Sequence, residues 1–320
     1  MRFDKDYYGV LLCDKRVASM EMNRYDFLNV TRYAFAIPYR KSLIYFYPKS
    51  NRYGYESNEL PFYYEDITTF LIPQHEPYDK QFQKLPDVEF MFVNTPFSTE
   101  NENVRITNAM MNATLDSLKL NVNARISLMG QFSTLIRPYY LNQDRDTTVN
   151  PNYYILISDA ADEQFQVDNK VTNIDTKFPY EASITSTFRN DSKLLNEKDN
   201  TFSIDLNKWF NDVIDDRFSY HNRHMNYYPD FRLQDIHRYK IGINKKIKLL
   251  NSEEIQKEIL NSYGSYSVRI NQPDDTSIYI ETIFTVKSHV VSAQNAKEVS
   301  DIFDAIKTLN NSMIKFAALK

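Results

Sequence analysis

The sequence predicts an α+β protein, predominantly antiparallel β-sheet with a few amphipathic helices, one of them C-terminal. Three stretches carry that prediction. Leu118–Ile126 alternates apolar and polar residues without a fault, the period of a half-buried strand. Tyr266–Ile270, the turn NQPDDT and Ser277–Val291 read as a hairpin. Val299, Ile302, Phe303, Ile306 and Leu309 recur at three and four, the stripe of a helix over 296–318.

In chain order, Tyr33–Ile37 and Leu43–Tyr47 are short aromatic and β-branched strands with Pro38 between them. Glu59–Pro77 holds three prolines and is expected to be irregular. Asp87–Asn94 alternates and predicts a strand, while Val104–Ser117 reads as helix. After Ile126 the rhythm changes. Leu128, Met129, Phe132, Leu135 and Ile136 predict a short helix capped by Ser127 and stopped by Pro138. Tyr153–Ile157 and Tyr180–Phe188 read as strands.

The polar run Arg189–Thr201 reads as an exposed loop or linker, and the chain is expected either to divide there into a β-rich domain (1–190) and an α+β region (201–320) or to form one domain. In the second part, Leu206, Trp209, Phe210, Val213, Ile214 and Phe218 predict an amphipathic helix. Ser252 predicts the cap of another, with Ile255, Ile259, Leu260 and Tyr263 inward and Gly264 as its stop. Asn295 and Glu298 have the spacing of a capping box for the last helix.

Composition narrows the function classes. The chain has 320 residues, and a hydrophobic fraction of 42% is enough to fill a core. Only five glycines occur, and neither GxGxxG nor GxxxxGK[ST] is present, which argues against a phosphate-cradling nucleotide site. A net charge of −4 does not suit a whole-face nucleic-acid binder. Cys13 is the lone cysteine, so no disulfide framework is expected. The start MRFDKDYYG is too polar for a signal peptide, and no run of about 18 apolar residues predicts a membrane span.

Candidate chemistry is sparse. His221 and His224 stand at i, i+3, with Asp215, Asp216, Asp230, Asp235 and His237 nearby. Two imidazoles and a carboxylate can hold zinc or iron, but the spacing matches no HExxH pattern and crosses Pro229. Solvated histidines at a helix end are the simpler reading. Arg238, Lys240, Lys245, Lys246 and Lys248, with Tyr227, Tyr228 and Tyr239, could bind a single strand by stacking and phosphate contact. A solvated basic face is the simpler reading there too. The acid pairs Glu253-Glu254 and Asp274-Asp275 fall at a helix start and a turn, where acids serve structure. No catalytic, cofactor or metal residue is assigned.

The segments IPY (37–39), LPDVEFMFV (85–93), LKLNVNARISLMGQFSTLIRPYY (118–140) and PYEASITSTF (179–188) resemble, as a pattern of elements, the core of phage tail-terminator and tail-completion (sheath-stabiliser) proteins. The resemblance covers about half the chain. It implies a non-enzymatic virion protein of tail, neck or capsid, made in the host cytoplasm. Its partners would be copies of itself in a ring and neighbouring virion proteins, with no cofactor, membrane or specific nucleic acid. A metal-dependent hydrolase or nuclease using His221, His224 and His237, and a glycan or single-stranded nucleic-acid binding module, are the alternatives.

Overall fold

The structure, a computed structural model, describes residues 7–15, 30–48, 58–74, 91–133, 165–174, 182–190, 195–206, 214 and 218–319. Contacts divide the chain into two compact units, Met1–Ser98 and Thr99–Lys320. This division lies apart from the stretch 190–201 at which the sequence suggested one. Strands before and after that stretch share one sheet.

The first unit holds β1 (Tyr7–Cys13), β2 (Val30–Tyr39), β3 (Ser42–Phe46), β4 (Thr68–Gln74) and β5 (Met91–Asn94), in the order β3-β2-β1-β4-β5. Every pairing is antiparallel. Alternation turns Val10, Leu12, Ala34, Ala36, Tyr45 and Leu71 to one face, where Leu60, Tyr64 and Ile67 complete a core. Pro73 lies within β4, so of the stretch expected to be irregular Thr68–Gln74 is strand, and residues 75–77 lie outside those described. Thr68–Leu71 pair with β5, while Pro73 lies past that pairing, where a missing N–H costs no ladder bond. Pro38 is likewise inside β2, opposite Leu43 and beyond the residues that pair with β1.

The second unit holds β6 (Val104–Thr114), β7 (Lys119–Leu128), β8 (Phe165–Ile174), β9 (Ala182–Asn190), β10 (Leu195–Lys198), β11 (Thr201–Asp205), β12 (Leu233–Ile243), β13 (Ile247–Leu249), β14 (Lys257–Leu260), β15 (Gly264–Asp274), β16 (Ser277–Val286) and β17 (Met313–Ala318). Eight strands form one sheet, β14-β15-β16-β12-β6-β7-β9-β8, and four form another, β10-β11-β17-β13. Among the described residues the β6–β12 pair is parallel and the other ladders are antiparallel. This is the expected β-rich α+β class with a C-terminal helix.

The alternation at 118–126 is a strand as predicted, with limits shifted. Leu118 is a left-handed turn residue (φ 50°), and the strand runs on through Ser127 and Leu128. Leu120, Val122, Ala124, Ile126 and Leu128 are all buried. Ser127 therefore caps nothing. Helical residues start at 131, after Gly130 in the left-handed region (φ 58°), and Asn103 Oδ1 accepts from the Gln131 N–H at 2.9 Å. Leu135, Ile136 and Pro138 lie outside the described residues.

Val104–Ser117, expected as helix, is strand β6 followed by a 3-10 turn. Its period of two is disguised because Arg105 and Thr107 point inward while Met110 points out. The loop expected at Arg189–Thr201 contains the end of β9 and the β10–β11 hairpin. Asp199 and Asn200, at φ 54° and 60°, make the two-residue turn whose twist suits a hairpin. Phe202 and Phe316 then stack directly across β11 and β17 at 5.7 Å.

The helix expected from Ser252 to Gly264 is a single turn, Ser252–Ile255, followed by β14. Gly264 does not stop a helix; it opens β15 against the Thr285 backbone. The C-terminal helix spans Ala296–Asn310, not 296–318, because Ile314 and Phe316 alternate inward on β17. Glu298 forms no capping box. Its carboxylate accepts from the Ser262 N–H (2.7 Å) and Oγ (2.6 Å), while Ser292 Oγ accepts from the Asn295 N–H. The expected strand at Tyr153–Ile157 and most of the expected helix at Leu206–Phe218 lie outside the described residues. Among those described, no helix is long and apolar enough to cross a membrane.

A Cβ at Gly264 would stand 1.9 Å from the Thr285 carbonyl oxygen. Gly264→Ala is expected to cost about 3 kcal/mol of stability, because backbone must move to admit the methyl. Urea unfolding followed by circular dichroism measures it.

Candidate functional site

The densest polar chemistry lies where β6 and β12 run parallel. Register sets Asp235 beside Arg105, His237 beside Thr107 and Tyr239 beside Ala109. Alternation then turns Asp235, His237 and Tyr239 to the core face with Leu233 and Ile241. Arg105 Nε donates to Asp235 Oδ1 at 2.7 Å, and its Nη2 donates to Oδ2, a bidentate pair. The guanidinium lies over the Phe132 ring, 5.7 Å from its centre, and Phe132 meets Phe231 edge-on at 5.2 Å. His237 Nε2 is 3.4 Å from Asp235 Oδ1, and Tyr239 Oη is 3.0 Å from His237 Nδ1.

Burial alone would raise the Asp235 carboxyl. The Arg105 guanidinium and then His237 outweigh it and hold the group well below the usual carboxylate range. All four side chains are sealed, none more than 2% exposed. A reacting group must reach substrate. This cluster meets none at the surface, and its geometry is that of a buried ion pair holding two strands in register.

The other histidines of the sequence motif go elsewhere. His221 and His224 are exposed in the non-regular segment 218–230. Among the described residues no group of three or more His, Cys, Asp or Glu is placed to hold a metal. Asp215 and Asp216 lie outside those residues. The basic run is also dispersed. Arg238 pairs with Glu281 at 2.8 Å, Lys245 with Asp116 and Lys246 with Asp275, while Tyr239 is buried on the opposite face of β12 from Arg238. Tyr227 packs edge-on against Phe218 at 4.7 Å. Cys13 is half-buried in β1. Asp274 serves the β15–β16 turn: its carboxylate accepts from Ser277 Oγ (2.6 Å) and from the Thr276 N–H (2.8 Å). The first of these bonds does most to lower its pKa.

Two surfaces were not evident from local motifs. On the eight-stranded sheet, register aligns Arg269, Glu281, Arg238, Asn108 and Arg125 in one row on the face away from the core. Lys240, Asn112, Asn121 and Asn123 lie on the same face and are exposed. On the five-stranded sheet, the face away from its core is aromatic. Tyr33, Leu11, Phe70 and Phe92 form one cross-strand row, and Phe46, Phe35, Gly9 and Ile72 the next. Phe92 meets Phe70 edge-on at 4.6 Å, and Tyr7 meets Phe35 at 5.9 Å. Leu11 and Phe70, at the centre of the first row, are buried, while the rings around them stay open: Tyr33 is 62% exposed, Phe35 43%, Tyr39 51% and Phe92 56%. The signal for this face was present at 33–37 and 43–47, where strands apolar at every position cannot hide both faces in one core.

No family model, curated protein or solved structure matches this chain.

Removing one member of a buried pair strands the other's charge. Asp235→Asn is expected to lose about 3–5 kcal/mol at pH 7. Because the folded pKa of Asp235 is depressed, its contribution is present above the ordinary carboxylate value of about 3.9 and fades as pH falls toward the folded one. The gap between wild type and Asp235→Asn should therefore narrow between about pH 4 and 2, read from guanidinium unfolding across that range.

Proposed function

We propose that this chain is a non-enzymatic structural or assembly protein of a phage-type virion, in a tail, neck or capsid, working through contacts between copies of itself that close into a ring. The observation that carries the reading is the aromatic outer face of the five-stranded sheet. Its core-side face is filled by its own unit, yet the opposite face exposes Tyr33, Phe35, Tyr39 and Phe92. Four rings about half exposed leave roughly 400 Å² of aromatic surface, the size at which patches on monomers are commonly functional. Tyr and Phe are enriched where subunits meet, and a head-to-tail contact that closes by rotation makes a ring. The buried Arg105–Asp235–His237–Tyr239 cluster supports the same reading, since its polar chemistry is directed at holding the sheet.

A second reading has its own support. Arg125, Arg238, Lys240 and Arg269 with exposed asparagines on the open face of the eight-stranded sheet suit a single-stranded nucleic acid or a glycan. Salt-sensitive binding of labelled oligonucleotides would favour it over the assembly reading.

Multi-angle light scattering of the purified chain across a concentration series is expected to show a discrete multimer. Tyr33→Ser with Phe92→Ser should shift it toward monomer without loss of the far-ultraviolet β signal. A monomer at all concentrations for the wild-type chain would overturn the proposal.

A further inference from the structure

Beside the C-terminal helix, at the edge of the eight-stranded sheet, lies a groove of about 520 Å³. Its floor is apolar: Ile255, Ile259, Val268 and Leu309. Its wall is one stripe of the helix Ala296–Asn310, in which Asp301, Asp304, Ala305 and Thr308 follow at three and four. Glu254 also lines the groove. Three carboxylates line it, Glu254, Asp301 and Asp304, against the single lining lysine Lys257, and Lys297, outside the lining, donates from Nζ to Asp301 at 2.9 Å. The groove mouth is therefore acidic.

It also borders open backbone. β14 is the edge strand, bonded to β15 on one side, with no neighbouring strand on the other among the described residues. Register turns Lys257 and Ile259 toward the groove with Val268 and Tyr266, and Glu258 and Leu260 to the opposite face. Leu260 is 73% exposed.

We propose that this groove takes an extended basic segment of a partner protein, added as a further strand alongside Lys257–Leu260. Main-chain bonds to β14 supply the pairing, and alternate side chains supply the choice of partner. Groove-side positions take Lys or Arg: the methylene stem lies along the half-buried Ile259 and the head reaches the exposed Asp301 and Asp304. The intervening positions take aliphatic residues that cover Leu260. A helix is disfavoured because its own backbone bonds are complete and leave β14 open. The short, charged edge limits pairing with unselected strands. This site is separate from the aromatic face and does not depend on ring formation.

The probe is a fluorescein-labelled peptide, Lys-Val-Lys-Val-Lys-Val-Lys, titrated with the full chain and read by anisotropy. Binding is expected to weaken with salt and to fall at least tenfold for Asp301→Lys with Asp304→Lys, exposed positions whose change leaves the fold intact by circular dichroism. The peptide with Glu in place of Lys should not bind wild type but should bind that variant. Methylating alternate backbone nitrogens of the peptide should abolish binding, and hydrogen exchange should show new protection at Lys257–Leu260. Equal binding of the methylated or Glu peptide, equal binding by the variant, or protection elsewhere would overturn the proposal. So would tighter binding of a helix-forming peptide of the same charge, or self-association of the chain that the double substitution removes.

Discussion

Inside the larger unit a guanidinium and a carboxylate share a space from which water is excluded. Their attraction gives little net stability, because stripping both of water costs nearly as much as their pairing returns. Its effect is on alignment. Arg105 and Asp235 are 130 residues apart, and they face each other only when β6 and β12 run parallel in one register. A one-residue slip would turn Asp235 to the open face and leave Arg105 charged and alone in the core. That penalty specifies a strand pairing that hydrophobic residues alone would leave degenerate. The fold then propagates outward. β7 and β9 extend the sheet from β6, and β16, β15 and β14 extend it from β12.

The two units solve the problem of a sheet with two faces differently. The eight-stranded sheet buries one face and wets the other. On β7, Leu120, Val122 and Ala124 are covered while Asn121, Asn123 and Arg125 meet water. The five-stranded sheet is apolar on both sides. Val10 and Leu12 are fully buried, but Tyr33 and Phe92 on the opposite face are more than half exposed. Leu11 and Phe70 in the middle of that face are buried, and the exposed rings around them are costly to maintain in water.

What could be read from the sequence followed from what is local. The alternation at 120–126, the β15–β16 hairpin and the stripe Val299–Leu309 each announce their own environment, and each formed as the expected element type, though β15 runs on through Asp274, where the turn was expected, and β16 ends at Val286 instead of Val291. Failures came where a distant partner decides. Arg105 and Thr107 made β6 look unlike a strand because the residues that satisfy them come from β12. Ser127 had the chemistry of a cap, but Asn103 performs that role from across the chain. Ile255, Ile259 and Tyr263 fit a helical stripe, yet pairing with β15 draws Lys257–Leu260 into the sheet edge. His237 seemed to belong with His221 and His224 by proximity in sequence. The pleat of β12 sends it inward to Asp235, while the other two remain in solvent. The aromatic outer face was visible as composition but not as a surface, since a surface needs the register of five strands at once.

Polar groups in a protein interior are either held or reactive, and the distinction lies in what remains available to a second molecule. In the central cluster both oxygens of Asp235 are engaged by Arg105, His237 lies between that carboxylate and Tyr239, and all are sealed. What the chain offers outward is broad: a face of rings, a face of amides and basic groups, and an acidic groove beside an open strand edge. Surfaces of that breadth recognise by shape and periodic spacing, matching another β-structured surface over several strands at about 4.8 Å intervals. Chemistry on a small molecule requires the opposite, a few convergent groups in a closed pocket. The allocation among the described residues, with ionic groups used for register and aromatic groups left at the surface, supports the proposed role in assembly.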